Sequence, residues 1–334
     1  MKRIMHTLAA ATLVLALALP AMAADLPGKG VTVNPARATW TTGFFLEAVY
    51  SRALRDLGYD VKKPKDLAVP IFYQAVMQGD VDFWANGWFP LHDAQLPKGF
   101  ENGATIAGSV ADGGALQGYL ISKRDAEKFG ITSVADFARP EVKAHFDSNG
   151  DGKADLISCP PGWGCETANN KLLKDTGLDA HINQIKANYS ASMADGIARY
   201  NSGGPIFFYT WTPNWTVFKL LPGKDVVWIN VPEKGYEDTK ATGIEGAATD
   251  PIYMGFAPND IKVVANKKFL ADNPAAAKLF ELMGVDLVDI FEQNNKMFEG
   301  EDKQKDIDRH VDEWIAKNKA KYDGWLKAAA AAAK

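Results

Sequence analysis

The chain has 334 residues, of which 47% are hydrophobic, 23% charged and 11% aromatic, with a formal net charge of -4. At about 150 residues per domain this length suggests two domains, and the composition excludes a disordered, collagen-like or small disulfide-framework chain. The slight acidity gives no footing for a nucleic-acid partner, which needs a basic face.

The first segment reads as a secretory signal. Lys2 and Arg3 are a positive start, residues 8–19 are apolar but too short to span a bilayer, and Ala21-Met22-Ala23 places small residues at a cleavage site. Residues 1–23 are therefore expected to be removed. No Cys stands at the cut, so no lipid anchor is expected. No later hydrophobic run approaches the ~20 residues of a membrane span, which points to a periplasm.

Residues 30–33 then read as a strand and 44–57 as an amphipathic helix closed by Gly58. Residues 69–73 read as an edge strand carrying Pro70, 74–78 as a short helix ending at Gly79, and 81–85 as another strand. This alternation predicts an α/β lobe with a largely parallel sheet. Residues 116–122 read as a strand crossing between lobes, and Ser133 as the N-cap of a helical segment. After the break at 202–205, residues 206–209, 226–229 and 261–265 read as strands, with 234–250 a long surface loop. The remainder reads as helical, one helix starting at Asn273-Pro274. This order predicts an α/β, two-lobe hinged clamshell, each lobe a mixed sheet flanked by helices. Lobe I takes 24–116 plus 260–334 and lobe II takes 117–259, with a ligand in the cleft.

The sequence holds no Gly-x-Gly-x-x-Gly, Walker loop, Gly-x-Ser-x-Gly elbow or His-Glu-x-x-His. His92, His145, His181 and His310 are scattered, so nothing points to an enzyme. The two cysteines, Cys159 and Cys165, share the segment Cys-Pro-Pro-Gly-Trp-Gly-Cys. In an oxidising compartment so close a pair is expected to form a disulfide, one that shapes its loop more than it holds the fold.

Nine tryptophans is a high count. Trp88 follows the strand at 81–85, Trp163 stands between glycines inside the cysteine loop, and Trp211 follows the strand at 206–209; Trp40 is less clearly placed. Two readings fit these indoles: core aromatics and loop anchors, or the walls of a cleft. In the second they hold a quaternary ammonium, whose diffuse charge and lack of N–H suit ring faces at roughly 0.5–2 kcal/mol each. Glycine on both sides of Trp163 favours the second, because burying an indole does not require it. Residues 166–174 read as a helix, so the amides of Gly164, Cys165 and Glu166 would form an anion site at its N-terminus. A cation box beside such a nest matches a zwitterion. His92 fits either as a further donor to a carboxylate or as a capping residue.

These residues carry a resemblance. The start Ala-Asp-Leu-Pro-Gly-Lys-Gly, then Trp-Phe-Pro-Leu-His-Asp, Asp-Ser-Asn-Gly-Asp-Gly-Lys-Ala-Asp-Leu, Cys-Pro-Pro-Gly-Trp-Gly-Cys-Glu and Tyr-Thr-Trp-Thr-Pro-Asn-Trp resemble the ProX type of periplasmic glycine betaine/proline betaine-binding protein. The resemblance implies that Trp88, Trp163 and Trp211 cage a trimethylammonium, and that the Gly164 and Cys165 backbone with the His92 side chain holds a carboxylate. It implies the soluble receptor of an osmoprotectant ABC importer, closing on its ligand and delivering it to a permease in the inner membrane; we expect it to be a monomer. Phe89 stands where a small polar residue is expected, beside the box wall, and selectivity is expected to vary within 232–256. The alternatives are the same fold tuned to choline, carnitine or ectoine, and an exported hydrolase of a choline-like substrate. The nest argues against choline, which has no carboxylate.

Asp147, Asn149, Asp151 and Asp155 follow the first positions of a calcium loop, but the twelfth position is Ser158 and not a bidentate Glu. A structural Ca²⁺ and a solvated Asx-turn loop both fit. No other cofactor is expected.

Overall fold

The computed structural model describes residues 26–333, so the expected signal at 1–23 lies outside the described residues. The two-residue strands β1 (Thr32–Val33), β2 (Ala36–Arg37), β3 (Asp60–Val61) and β4 (Lys65–Asp66) pair in parallel, β1 with β3 and β2 with β4. β5 (Phe83–Phe89) and the long β6 (Ala104–Ala115) follow, and only Leu116 separates β6 from β7 (Gln117–Ser122). The next strands are β8 (Ala154–Ile157), β9 (Ile182–Ile185), β10 (Phe207–Trp211) and β11 (Val226–Ile229). With β7 they form a second sheet in the order β11-β7-β10-β8-β9. After the short pair β12 (Lys240–Ala241) and β13 (Ile252–Tyr253), β14 (Asn259–Asn266) returns to lie between β5 and β6. The chain thus leaves one sheet, builds another and comes back.

The first sheet departs from expectation, because β14 runs antiparallel to both β5 and β6. Its partner from the far end of the chain is non-local, and no sequence period reports strand direction. The second sheet is mixed: β7 is antiparallel to β10 and β11, while β10, β8 and β9 are parallel. All of β7 and β10 is buried, which explains why both are apolar at most positions instead of alternating.

Residues 69–73 are not a strand but the start of a helix, Val69–Gln78. Val69, Phe72, Tyr73 and Val76 are its buried residues, the spacing of one helical face, and Pro70 sits in the first turn, where its missing N–H costs nothing. β5 runs on to Phe89, so Trp88 lies within a strand and not after it. Ser133 caps a 3₁₀ turn at Val134–Ala138 through a capping box. The C-terminal helices fold back on the helix Thr42–Asp56, where Phe45 meets Trp314 edge-on at 6.4 Å and Tyr322 donates to Asp56 at 2.8 Å.

Asn266, at the end of β14, ties three elements of this lobe. Its side-chain N–H₂ donates to the carbonyls of Val76 (2.9 Å) and Gly103 (3.2 Å), and its oxygen caps the helix Lys267–Asp272 by accepting from Phe269 N–H at 3.0 Å. Asn266→Ala leaves these buried groups without partners and is expected to cost roughly 2–4 kcal/mol, read as a lower urea midpoint.

Candidate ligand-binding site

Four indoles surround one small cavity of about 30 Å³ between the two sheets, lined by Trp40, Trp88, Leu91, His92, Gln117, Trp163, Gly164, Cys165, Tyr209 and Trp211. Trp40 follows β2, and Trp88 belongs to β5, so both stand on the first sheet's side; Trp163 precedes the helix Gly164–Thr176, and Trp211 ends β10. Ring centroids are 5.3 Å apart for Trp40 and Trp163, and 5.6 Å apart for Trp163 and Trp211. Tyr189 backs Trp211 at 4.9 Å and Trp163 at 5.9 Å. All four indoles are buried, yet they turn toward shared space instead of filling it.

Indole N–H groups hold three of these rings in place. Asn86 Oδ1 accepts from both Trp88 (2.6 Å) and Trp40 (3.2 Å), and Thr39 Oγ1 accepts from Trp163 at 2.9 Å. The last bond crosses the cleft, as does Val69 N–H donating to Gly162 O at 3.2 Å. Trp211 Nε1 and Gln117 Nε2, both on the cavity wall, have no partner among the described residues.

The nest sits where the sequence places it. Gly164 and Cys165 open their helix, so neither amide has a preceding helical carbonyl to bond. The Glu166 amide, by contrast, is spent on Trp163 O at 3.2 Å, and the Glu166 carboxylate turns back to Gly162 N–H (3.1 Å) and Lys186 (3.0 Å). Cys165 is bonded to Cys159, with Cα atoms 6.1 Å apart, which ties the helix's first turn to the chain leaving β8. A methyl group on Gly164 would stand 2.8 Å from His92 Cδ2 and 3.0 Å from Leu91 Cδ2. Glycine is therefore what lets the two sides of the cleft approach this closely.

His92 is buried against this helix end. Its Nδ1 accepts from Trp88 N–H at 3.1 Å and lies 2.8 Å from Tyr73 Oη. A backbone N–H can only donate, so Nδ1 carries no proton and the neutral ring bears its proton on Nε2. Gly164, Cys165, His92, Gln117 and Trp211 thus all offer N–H donors, and no Asp or Glu lines the cavity. Such a wall leaves donors uncompensated until something with acceptor oxygens enters.

Phe89 does not stand in the box wall; it packs behind it, 6.3 Å from Tyr73 and 6.1 Å from His92. From the 232–256 segment and its end, Phe256 supports Tyr209 from outside the cavity at 5.5 Å. The residues missed in the sequence are Leu91, Gln117 and Tyr209, with Thr39 and Asn86 behind the rings and Trp40 promoted to a wall. The available signal was polarity inside buried strands: Asn86 within β5 and Gln117 at the head of β7.

At 147–155 the carboxylates are taken up by the loop's own donors. Asp147 accepts from the amides of Gly150 (2.7 Å), Asp151 (3.2 Å) and Gly152 (2.8 Å). Asp155 accepts from Ser148 N–H (2.9 Å), Asn149 (3.0 Å) and Asn183 (3.0 Å), and Asp151 from Lys153 N–H at 2.9 Å. These are the hydrogen bonds of successive Asx turns, and among the described residues no group of three His, Cys, Asp or Glu side chains is placed to hold a metal ion.

Burial pushes the His92 imidazole down to about 3, whereas in an unfolded chain it takes up a proton near its ordinary ~6.5. Between those values the unfolded state binds more protons, so His92 makes native stability fall as pH falls, by up to ~1.4 kcal/mol per pH unit. Buried Glu47, whose carboxyl is raised to about 7 by desolvation, acts in the opposite sense. Comparison of wild type with His92→Asn isolates the first effect: the stability advantage of wild type is expected to shrink as urea titrations move from about pH 7 to about pH 4. Parallel curves would place a solvated imidazole there instead.

Comparison with known proteins agrees with this geometry. Residues 31–317 match the family described as the substrate binding domain of ABC-type glycine betaine transport system. The chain is 43% identical over 310 residues to the glycine betaine-binding periplasmic protein OusX of Dickeya dadantii, covering 93% of each chain. It is 43% identical over 312 residues to the glycine betaine/proline betaine-binding periplasmic protein of Escherichia coli, covering 93% of this chain and 94% of that one. An ABC-transporter choline-binding protein solved with choline shares the fold at a TM-score of 0.70 and 18% identity, over 90% of this chain and 96% of the other. The two-sheet architecture is therefore the two-lobe clamshell of periplasmic binding proteins, and the chain belongs to the family of substrate-binding domains of ABC-type glycine betaine transport systems.

Proposed function

We propose that this protein is a periplasmic receptor for glycine betaine and related betaines that closes on its ligand and hands it to the permease of an ABC importer. The carrying observation is the junction at Trp163 and Gly164. There an indole of the cage adjoins two free helix-terminal amides, so cation and anion subsites meet a few ångströms apart. The ring faces take the trimethylammonium, at roughly 0.5–2 kcal/mol each, and the amides of Gly164 and Cys165 with His92 Nε2–H take the carboxylate. The cavity walls come from both sheets, so ligand favours the closed arrangement by its differential affinity for it. Export by the signal at 1–23, action as a monomer, and division at 24–116 plus 260–334 against 117–259 complete the reading.

A second reading, choline, has the ligand of one structural neighbour in its favour. It offers the nest and the other wall donors one neutral hydroxyl oxygen in place of a carboxylate's two charged ones, which disfavours it by the cost of the buried N–H groups left unpaired.

Tryptophan-fluorescence and calorimetric titrations of the exported chain are expected to show saturable binding of glycine betaine, at least tenfold weaker binding of choline, and none of glycine, which lacks the methyl groups. Trp163→Ala is expected to abolish the signal. Betaine failing to bind in calorimetry would overturn the assignment, and equal affinity for choline would move it to the second reading. Gly164→Ala is expected to weaken betaine at least tenfold by holding the cleft ajar, with the urea midpoint nearly unchanged.

A further inference from the structure

Cage residues assigned by resemblance number one from the first sheet, Trp88, and two from the second, Trp163 and Trp211. The structure adds a ring to the first side. Trp40 lines the same cavity, stands 5.3 Å from Trp163 at an interplanar angle of 66°, and is backed by Trp84 at 5.6 Å. Its N–H and that of Trp88 converge on one acceptor, Asn86 Oδ1, at 3.2 and 2.6 Å. Because an indole N–H only donates, the Asn86 amide must present its oxygen to both rings. Its own N–H₂ is buried without a partner among the described residues, so this arrangement is kept at a cost.

We propose that Trp40 is a fourth wall of the ammonium cage and that Asn86 is the positioning residue that sets the Trp40–Trp88 pair, together limiting the cage to a compact trialkylammonium head. The proposal rests on the betaine reading above. Trp40, Asn86 and Trp88 all belong to one side of the cleft, so this half of the cage is assembled before closure, and the Trp163–Trp211 half closes against it. Two rings from each side leave no open flank into which longer alkyl groups could extend. A cage of three rings would leave the Trp40 flank open, and its selectivity for size would fall.

The test is calorimetric titration of the full exported chain with glycine betaine and with its triethylammonium counterpart. Wild type is expected to prefer the trimethyl ligand strongly. Trp40→Ala is expected to weaken that ligand about 5- to 30-fold, the loss of one ring face, while weakening the triethyl ligand less or strengthening it. Asn86→Leu, which removes the acceptor and keeps the volume, is expected to narrow the preference several-fold, and Trp40→Phe to retain most of it. Urea melts establish that each variant is folded; should Trp40→Ala not fold, Asn86→Leu carries the test. A wild-type preference ratio in folded Trp40→Ala or Asn86→Leu overturns the proposal and leaves the betaine reading intact. Wild type that binds neither ligand overturns both.

Discussion

A cation without an N–H group gives a protein two ways to hold it: formal negative charge, or the faces of aromatic rings. This cavity offers aromatic rings and no formal charge, and most of its construction serves to set those rings. A ring recognises the cation with its face, so the N–H of an indole, which lies in the ring plane, is free to orient the ring. Trp40 and Trp88 share the Asn86 oxygen, and Trp163 spends its N–H on Thr39. Phenylalanine would offer the same kind of face without the means to fix its angle. The price is polarity inside buried strands, which β5 carries in Asn86.

The same bonds couple recognition to closure. Trp163 is a wall of the cage and also the donor of a hydrogen bond across the cleft, while Gly164 next to it packs on His92 and Leu91 from the other side. A single hydrogen bond contributes about 1 kcal/mol net, and the stacked Trp215–Phe298 pair and the Lys219–Glu299 ion pair also join 117–259 to 260–334. A ligand bridging rings and amides from both sides adds a differential term, which is the condition for ligand to govern the equilibrium. His92 fits this scheme because burial keeps it neutral and its bonds at Nδ1 leave Nε2 as the proton-bearing nitrogen.

Much of this was legible in the sequence, and the failures have physical causes. The cysteine loop was readable because glycines flanking an indole between two cysteines have no simple packing explanation, and the helix after it was readable from its own residues. β10 and β11 were readable as apolar runs. Residues 69–73 were misread because five apolar residues fit a buried strand and a helix's inner face alike; Pro70 belonged to a first helical turn. The antiparallel sheet was invisible because β14 reaches β5 and β6 across about half of the chain. Trp40 lacked a flanking signal, since its role depends on Asn86, far along the chain, and only the fold brings the two together.

Charge is where the site's chemistry and its setting meet. An ion-paired cation site loses strength as ionic strength rises, because added salt screens exposed charges over a Debye length of about 10 Å at 0.1 M. The cavity lining contains no Asp, Glu, Lys or Arg, and Glu166, the nearest acidic residue in sequence to the nest, is neutralised by Lys186 and turned away. Ring quadrupoles and backbone dipoles enclosed in a closed cleft act at contact range, inside the screening length, with mobile ions excluded. Recognition built this way depends little on the salt outside. On the proposed betaine reading, selectivity rests on shape and on the absence of N–H groups on the ligand, and both are set by where the indole planes stand.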